Sequence, residues 1–188
     1  MTQIECLAAC LGLLMTPGPT NTLLTLSSAA DGRSAAFRLV PGEIGGYLLM
    51  VVPLVLFGNA LLTAAPAAGT ILKVAAAAWV AFLAVQLWLS ASEGIARVRV
   101  TLPKVFITTT LNPKALLFGL FLLPSVQDAR MVGTVALFVL TICAASTLWI
   151  CLGTLVQGNG TAVVRRVAAV LLSALSVRLI LSVIAGQA

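Results

Sequence analysis

Six apolar runs, each near the roughly 20 residues that carry a helix across a hydrocarbon layer about 30 Å thick, decide what this chain can be. They cover 4–26, 39–62, 69–89, 105–123, 132–155 and 167–185. Only 9% of the 188 residues are charged, and 61% are hydrophobic. So few charges cannot solvate the outside of a water-soluble body, whose charged share is ordinarily about 25%. The runs are rich in Leu, Ala and Val and joined by short linkers, which favours helices over the period-two strands of a barrel. The expectation is one all-α integral membrane domain, 1–188, of six transmembrane helices. The first run has Glu5 and no basic residue before Arg33, so it reads as a span rather than a cleaved signal peptide.

Orientation follows from the cations. Arg33, Arg38, Arg97, Arg99, Lys104, Arg165 and Arg166 lie in the odd-numbered loops, while the even loops have Arg130 and the nearby Lys73. Cationic loops stay on the cytoplasmic side, which puts the odd loops inside the cell and both termini outside. The net charge of +6 is thus topogenic, and no nucleic-acid partner is expected. The chain has no His, which removes the commonest general base and metal ligand. Its five acidic residues are dispersed, and its four Cys sit in apolar runs without metal-ligand or redox spacing. An enzyme is therefore disfavoured, and no cofactor or resident metal is expected.

Two runs are interrupted at corresponding places. The first contains Thr16-Pro17-Gly18-Pro19-Thr20-Asn21, and the fourth Asn112-Pro113-Lys114. Proline inside a helix removes a donor and clashes with the preceding turn. Within a membrane such a break is tolerated only inside protein or beside a water-filled cavity. Setting Pro19 against Pro113 divides the chain into halves of about 1–90 and 105–188. Three spans per half give the halves opposite orientations, and paired broken helices in inverted repeats point to a transporter's central binding site. Pro17, Gly18, Pro19, Thr20, Asn21, Asn112, Pro113 and Lys114 are the candidate substrate-binding residues. A helix beginning at Pro19 offers free N–H groups and a positive dipole end, suited to a carboxylate. Lys114 adds a cation deep in the apolar layer, where an ionisable group is costly without a partner.

These residues carry a family resemblance. Pro17-Gly18-Pro19-Thr20-Asn21 is similar to the PGPN element of the LysE/RhtB family of amino-acid exporters, with Thr20 inserted. Gly32-Arg33, Gly42 and Gly46 stand at the expected offsets, and Asn112-Pro113-Lys114-Ala115 with Phe118 and Pro124 resembles that family's NPKA…LF…LP stretch. The third run departs, with Ala76, Trp79 and Ala84 where a G…YL…G pattern is usual. The resemblance implies export of an amino acid or related small metabolite across the cytoplasmic (inner) membrane, coupled to protons rather than ATP.

Glu43 is the acidic residue well inside an apolar run. It is a candidate for binding and releasing the coupling proton, or else an interfacial partner of Arg38 or Arg33. Gly42 and Gly46 around it form a GxxxG, a close helix contact. Arg178, in the sixth run, either faces the cavity as a gating group or snorkels to the outer surface. Trp79, Trp88 and Trp149 read as packing or interface anchors. The partners expected are a small-molecule substrate and the bilayer, and a homodimer suits so small a body. Two alternatives stand beside the exporter of amino acids: a non-catalytic subunit of a larger complex, and a metal-ion exporter.

Overall fold

The computed structural model describes residues 3–65, 67–92, 100–123, 130–155 and 160–185, and every regular element within them is helical. Helix is the form that satisfies backbone groups internally where water is absent. The first run is two helices, α1 (Gln3–Met15) and α2 (Pro19–Asp31), parted by Thr16-Pro17-Gly18. Next come the short α3 (Arg33–Phe37), then α4 (Val40–Ala64) and α5 (Ala67–Ser92). The fourth run is divided into α6 (Leu102–Thr110), α7 (Pro113–Leu117) and a π-helical turn, Phe118–Leu122. Two long helices close the chain, α8 (Arg130–Thr154) and α9 (Gly160–Ile184).

Both expected breaks are present, and each is followed by a helix whose first residue is proline. At that position the missing N–H has no intrahelical partner to lose. Gly32 turns the chain out of α2 with φ 87°, a backbone that side chains rarely adopt, while its N–H bonds the Ser28 carbonyl at 3.1 Å. α9 starts before its apolar run, so Arg165 and Arg166, expected in a loop, lie on its first turns. A helix need not end where the hydrocarbon does. Glu93, Arg97, Arg99, Pro124 and Asp128 fall outside the described residues.

Three helical stretches among the described residues are long and apolar enough to cross a membrane: Arg33–Gly58, Gly69–Leu89 and Met131–Thr154. The pieces of the two broken runs are each too short to do so alone.

Small residues set the closest packing. A Cβ on Gly42 would lie 2.9 Å from the Leu102 carbonyl oxygen, and one on Gly46 2.7 Å from that of Phe106. The GxxxG of α4 is therefore its contact with α6, as the spacing predicts. Gly153 of α8 similarly meets the Thr25 carbonyl of α2, leaving no room for a Cβ. Ser28 Oγ donates to the Ile150 carbonyl at 2.6 Å across the same α2–α8 contact. Such interhelical bonds are each worth about 0.6 kcal/mol in a membrane protein, so the glycine contacts carry more of the specificity. α5 packs along α9 through Val80, Leu83 and Leu87 against Ala168, Ala169 and Leu172. Ala76 and Ala84 are buried on that helix, and Trp79 Nε1 donates to Thr108 Oγ1 of α6 at 3.0 Å.

Polarity is arranged inside out. Phe57, Phe82, Val132, Leu140 and Leu171 stand exposed, while Thr20, Asn21, Glu43, Thr109, Asn112 and Lys114 are buried. An outer face this apolar suits lipid rather than water as the surrounding solvent.

Candidate functional site

The first break frees two carbonyls. In a continuous helix those of Leu14 and Thr16 would accept from the N–H groups of residues 18 and 20. Asn21 replaces both donors, its Nδ2 bonding the Leu14 oxygen at 2.7 Å and the Thr16 oxygen at 3.0 Å. Two more donors arrive from elsewhere in the chain. Trp149 Nε1 of α8 reaches the Leu14 oxygen at 3.3 Å, and Lys114 Nζ of α7 reaches the Thr16 oxygen at 2.5 Å.

The second break satisfies itself. Asn112 Oδ1 accepts the Lys114 N–H at 3.1 Å and caps α7, while its Nδ2 donates to Thr20 Oγ1 at 3.2 Å. Thr109 Oγ1 spends its one proton on the Val105 carbonyl at 2.8 Å, so in the 3.1 Å contact between Thr20 and Thr109 it is Thr20 that donates. This buried chain, Asn112 to Thr20 to Thr109 to Val105, ties the start of α2 to α6 and α7.

The start of α2 is not filled in the same way. Its N-cap, Gly18, has no side chain to offer, and the first intrahelical bond is from the Thr22 N–H to the Gly18 carbonyl at 2.9 Å. The N–H groups of Thr20 and Asn21 therefore begin the helix without an acceptor within it. Lys114 lies against this point, with Cε and Nζ both 3.1 Å from where a Cβ on Gly18 would sit. Thr16 and Pro17 are exposed, whereas Gly18, Pro19 and Lys114 are buried. A helix N-terminus and an ammonium group thus converge beside an accessible stretch of chain. That combination attracts an anion.

Glu43 is buried, 1% exposed, and its partner is Ser146 of α8 rather than Arg38 or Arg33. Both arginines are exposed, and Arg33 Nη2 donates to Thr154 Oγ1 at 2.9 Å. Ser146 Oγ lies 2.5 Å from Glu43 Oε2 and 2.8 Å from the Ile142 carbonyl oxygen. A hydroxyl has one proton to give. When Ser146 donates to Ile142, the contact with Glu43 needs a proton on Oε2; when it donates to Glu43, Oε2 needs none. Glu43 lies within electrostatic reach of Lys114, and Tyr47 follows it by one turn on α4.

The structure thus gathers Pro17, Gly18, Pro19, Thr20, Asn21, Asn112, Pro113 and Lys114 at one junction, with Glu43 in electrostatic reach. Asn21 turns its donors onto the Leu14 and Thr16 carbonyls, while Asn112 caps α7 and bonds Thr20, so each helps hold a break. Arg178 is exposed on α9, unlike the buried groups of this cluster.

Sequence reasoning passed over four contributors. Trp149, read as an anchor, serves the first break. Tyr47 had a signal, being the one tyrosine in the chain and four residues after Glu43 on the same helix face. Ser146 and Thr109 had none, since hydroxyls that bond back to the carbonyl four residues earlier are ordinary in apolar helices.

Residues 11–183 match the family model for the LysE type translocator, a span that contains both breaks and every buried group described above. No curated protein and no solved structure matches the chain. With that match spanning most of the chain and the polarity turned inside out, the chain belongs to the LysE type translocator family and is a membrane transporter.

Proposed function

We propose that the chain exports amino acids or related small metabolites across the cytoplasmic membrane by proton antiport, through alternating access. The observation that carries this reading is the buried Lys114 ammonium set against the uncapped start of α2, beside exposed Thr16 and Pro17. Two free N–H groups and a cation suit one carboxylate. The buried Glu43 supplies the opposite charge, so the pair matches a zwitterion. A metal ion is a poorer cargo, because Lys114 repels a cation at that point.

Coupling follows from the same carboxyl. Glu43 accommodates a proton by a turn of the Ser146 hydroxyl, as the two contacts of that oxygen allow. A carboxylate that holds either a proton or the cargo's ammonium, never both, exchanges one for the other. Glu43 is proposed as this coupling group.

Helix pairing supports two inverted repeats of three spans, about 1–90 and 105–188, in a single domain. Counting the broken runs as spans one and four, α4 packs on α6, α2 on α8 and α5 on α9. These are pairs two–four, one–five and three–six. A twofold operation that exchanges the halves sends two–four to five–one and three–six to itself, leaving the set unchanged. With three spans per half, such halves run in opposite directions. The charge bias then puts odd loops in the cytoplasm and both termini outside, and a homodimer remains part of the proposal.

The test is efflux from proteoliposomes preloaded with a panel of labelled amino acids, with and without an imposed pH gradient. Gradient-dependent loss of one or a few species is expected. Silence across the panel, from folded and inserted protein, contradicts the proposal.

A further inference from the structure

Tyr47 has a hydroxyl with nothing to bond. The residue is fully buried, and its oxygen is the buried side-chain polar atom without a hydrogen-bond partner among the described residues. Other buried polar side chains nearby are served: Thr20, Asn21, Thr109, Asn112, Lys114, Ser146 and Glu43 each have a named partner. Packing does not explain the oxygen. The ring lies edge-on to Phe118 at 5.6 Å and to Phe138 at 5.9 Å, contacts that phenylalanine would make equally well. A buried hydroxyl left unpaired lowers stability.

Its position suggests what it awaits. Tyr47 follows Glu43 by one turn on the same face of α4. That stretch of α4 is held by Gly42 and Gly46 against α6, and the two phenylalanines fix the ring, so the hydroxyl cannot swing away to another partner. Phe138 also walls a small apolar cleft between α4 and α8, lined by Val51, Val55 and Leu123 among others.

We infer that the Tyr47 hydroxyl is a cargo contact, accepting a hydrogen bond from the substrate's ammonium group beside Glu43. This rests on the proposed export of amino acids and extends it. Lys114 and the start of α2 take the carboxylate end, and Glu43 with Tyr47 takes the ammonium end.

Tyr47→Phe tests it in proteoliposomes and in detergent. Without cargo the variant melts at or above the wild-type temperature, since it loses only an unpaired oxygen. Its KM for efflux rises about tenfold, the range of a lost hydrogen bond to a charged group. The wild-type preference for an amino acid over its des-amino analogue as competitor shrinks by a similar factor, because the lost contact is to the amine. An unchanged KM overturns the inference, as does a raised KM with the preference intact. A fall in melting temperature or loss of folding overturns it too, by showing a hydroxyl that holds the fold through a bound water. Failure of the export reading is distinguishable, for it appears in the wild type as silence toward every amino acid.

Discussion

The two broken helices begin alike, with a proline at the first position of the resumed helix, and end up doing opposite jobs. The second break closes on itself: Asn112 caps α7 with its own side chain, and the chain resumes after two residues. The first is wider and open. Its N-cap is a glycine with no side chain, its carbonyls borrow donors from Asn21, Trp149 and Lys114, and Thr16 and Pro17 are exposed. In the proposed function one break serves as a mount, its Lys114 reaching the Thr16 carbonyl across the interface, and the other as the receptor it completes. Halves related as proposed, by a twofold, would thus differ in function.

Removing what the mount delivers has the largest expected effect. Lys114→Ala lowers efflux by at least about a hundredfold, since truncating one partner of a buried charged contact costs several kcal/mol. The variant inserts and folds, as fluorescence-detected size exclusion would check. Near-normal efflux would mean that the second break does not serve the first.

Glu43→Gln comes next. The amide cannot exchange a proton, so the response of efflux to an imposed pH gradient disappears while some downhill exit persists. A gradient response equal to the wild type would reduce Glu43 to a structural partner of Ser146.

The asparagines separate the breaks by stability. Asn21→Ala removes two hydrogen bonds, to the Leu14 and Thr16 carbonyls, and costs about 2 kcal/mol. Asn112→Ala removes a helix cap and costs about 1 kcal/mol. Denaturant or thermal unfolding in detergent orders the two, and equal costs would erase the distinction between an open break and a self-sealed one. The smallest effect is expected of Gly18→Ala. Its extended backbone, φ −169°, accepts alanine, but the new Cβ sits 3.1 Å from the end of Lys114. A few tenths of an ångström of displacement should raise KM a few-fold without loss of stability.

Much of this architecture is legible in the sequence. Proline chemistry located both breaks, since a missing donor inside an apolar run has few interpretations. Hydropathy marked the runs, and the Gly42–Gly46 spacing gave a close contact that proved to be with α6. What was hidden were relations between residues distant in sequence. The residue type of Asn21 suits a ligand; only the fold shows its donors turned back on Leu14 and Thr16. Ser146 lies 103 residues from Glu43, and nothing local marks a hydroxyl that also bonds its own helix. Arg178 shows the same limit from the other side, because a cation in an apolar run can face inward or outward, and here it is exposed.

The claim that the open break receives a carboxylate is tested most directly by competition. Efflux of a labelled, exported amino acid would be measured in proteoliposomes against the same amino acid unlabelled and against its α-carboxamide. The amide keeps the ammonium and side chain and loses only the negative charge. The account predicts that the amide competes at least about tenfold less well, the cost of a lost charge-assisted contact, and that Lys114→Ala, in whatever binding remains, no longer distinguishes the two. Equal competition by amide and acid in the wild-type protein would contradict it.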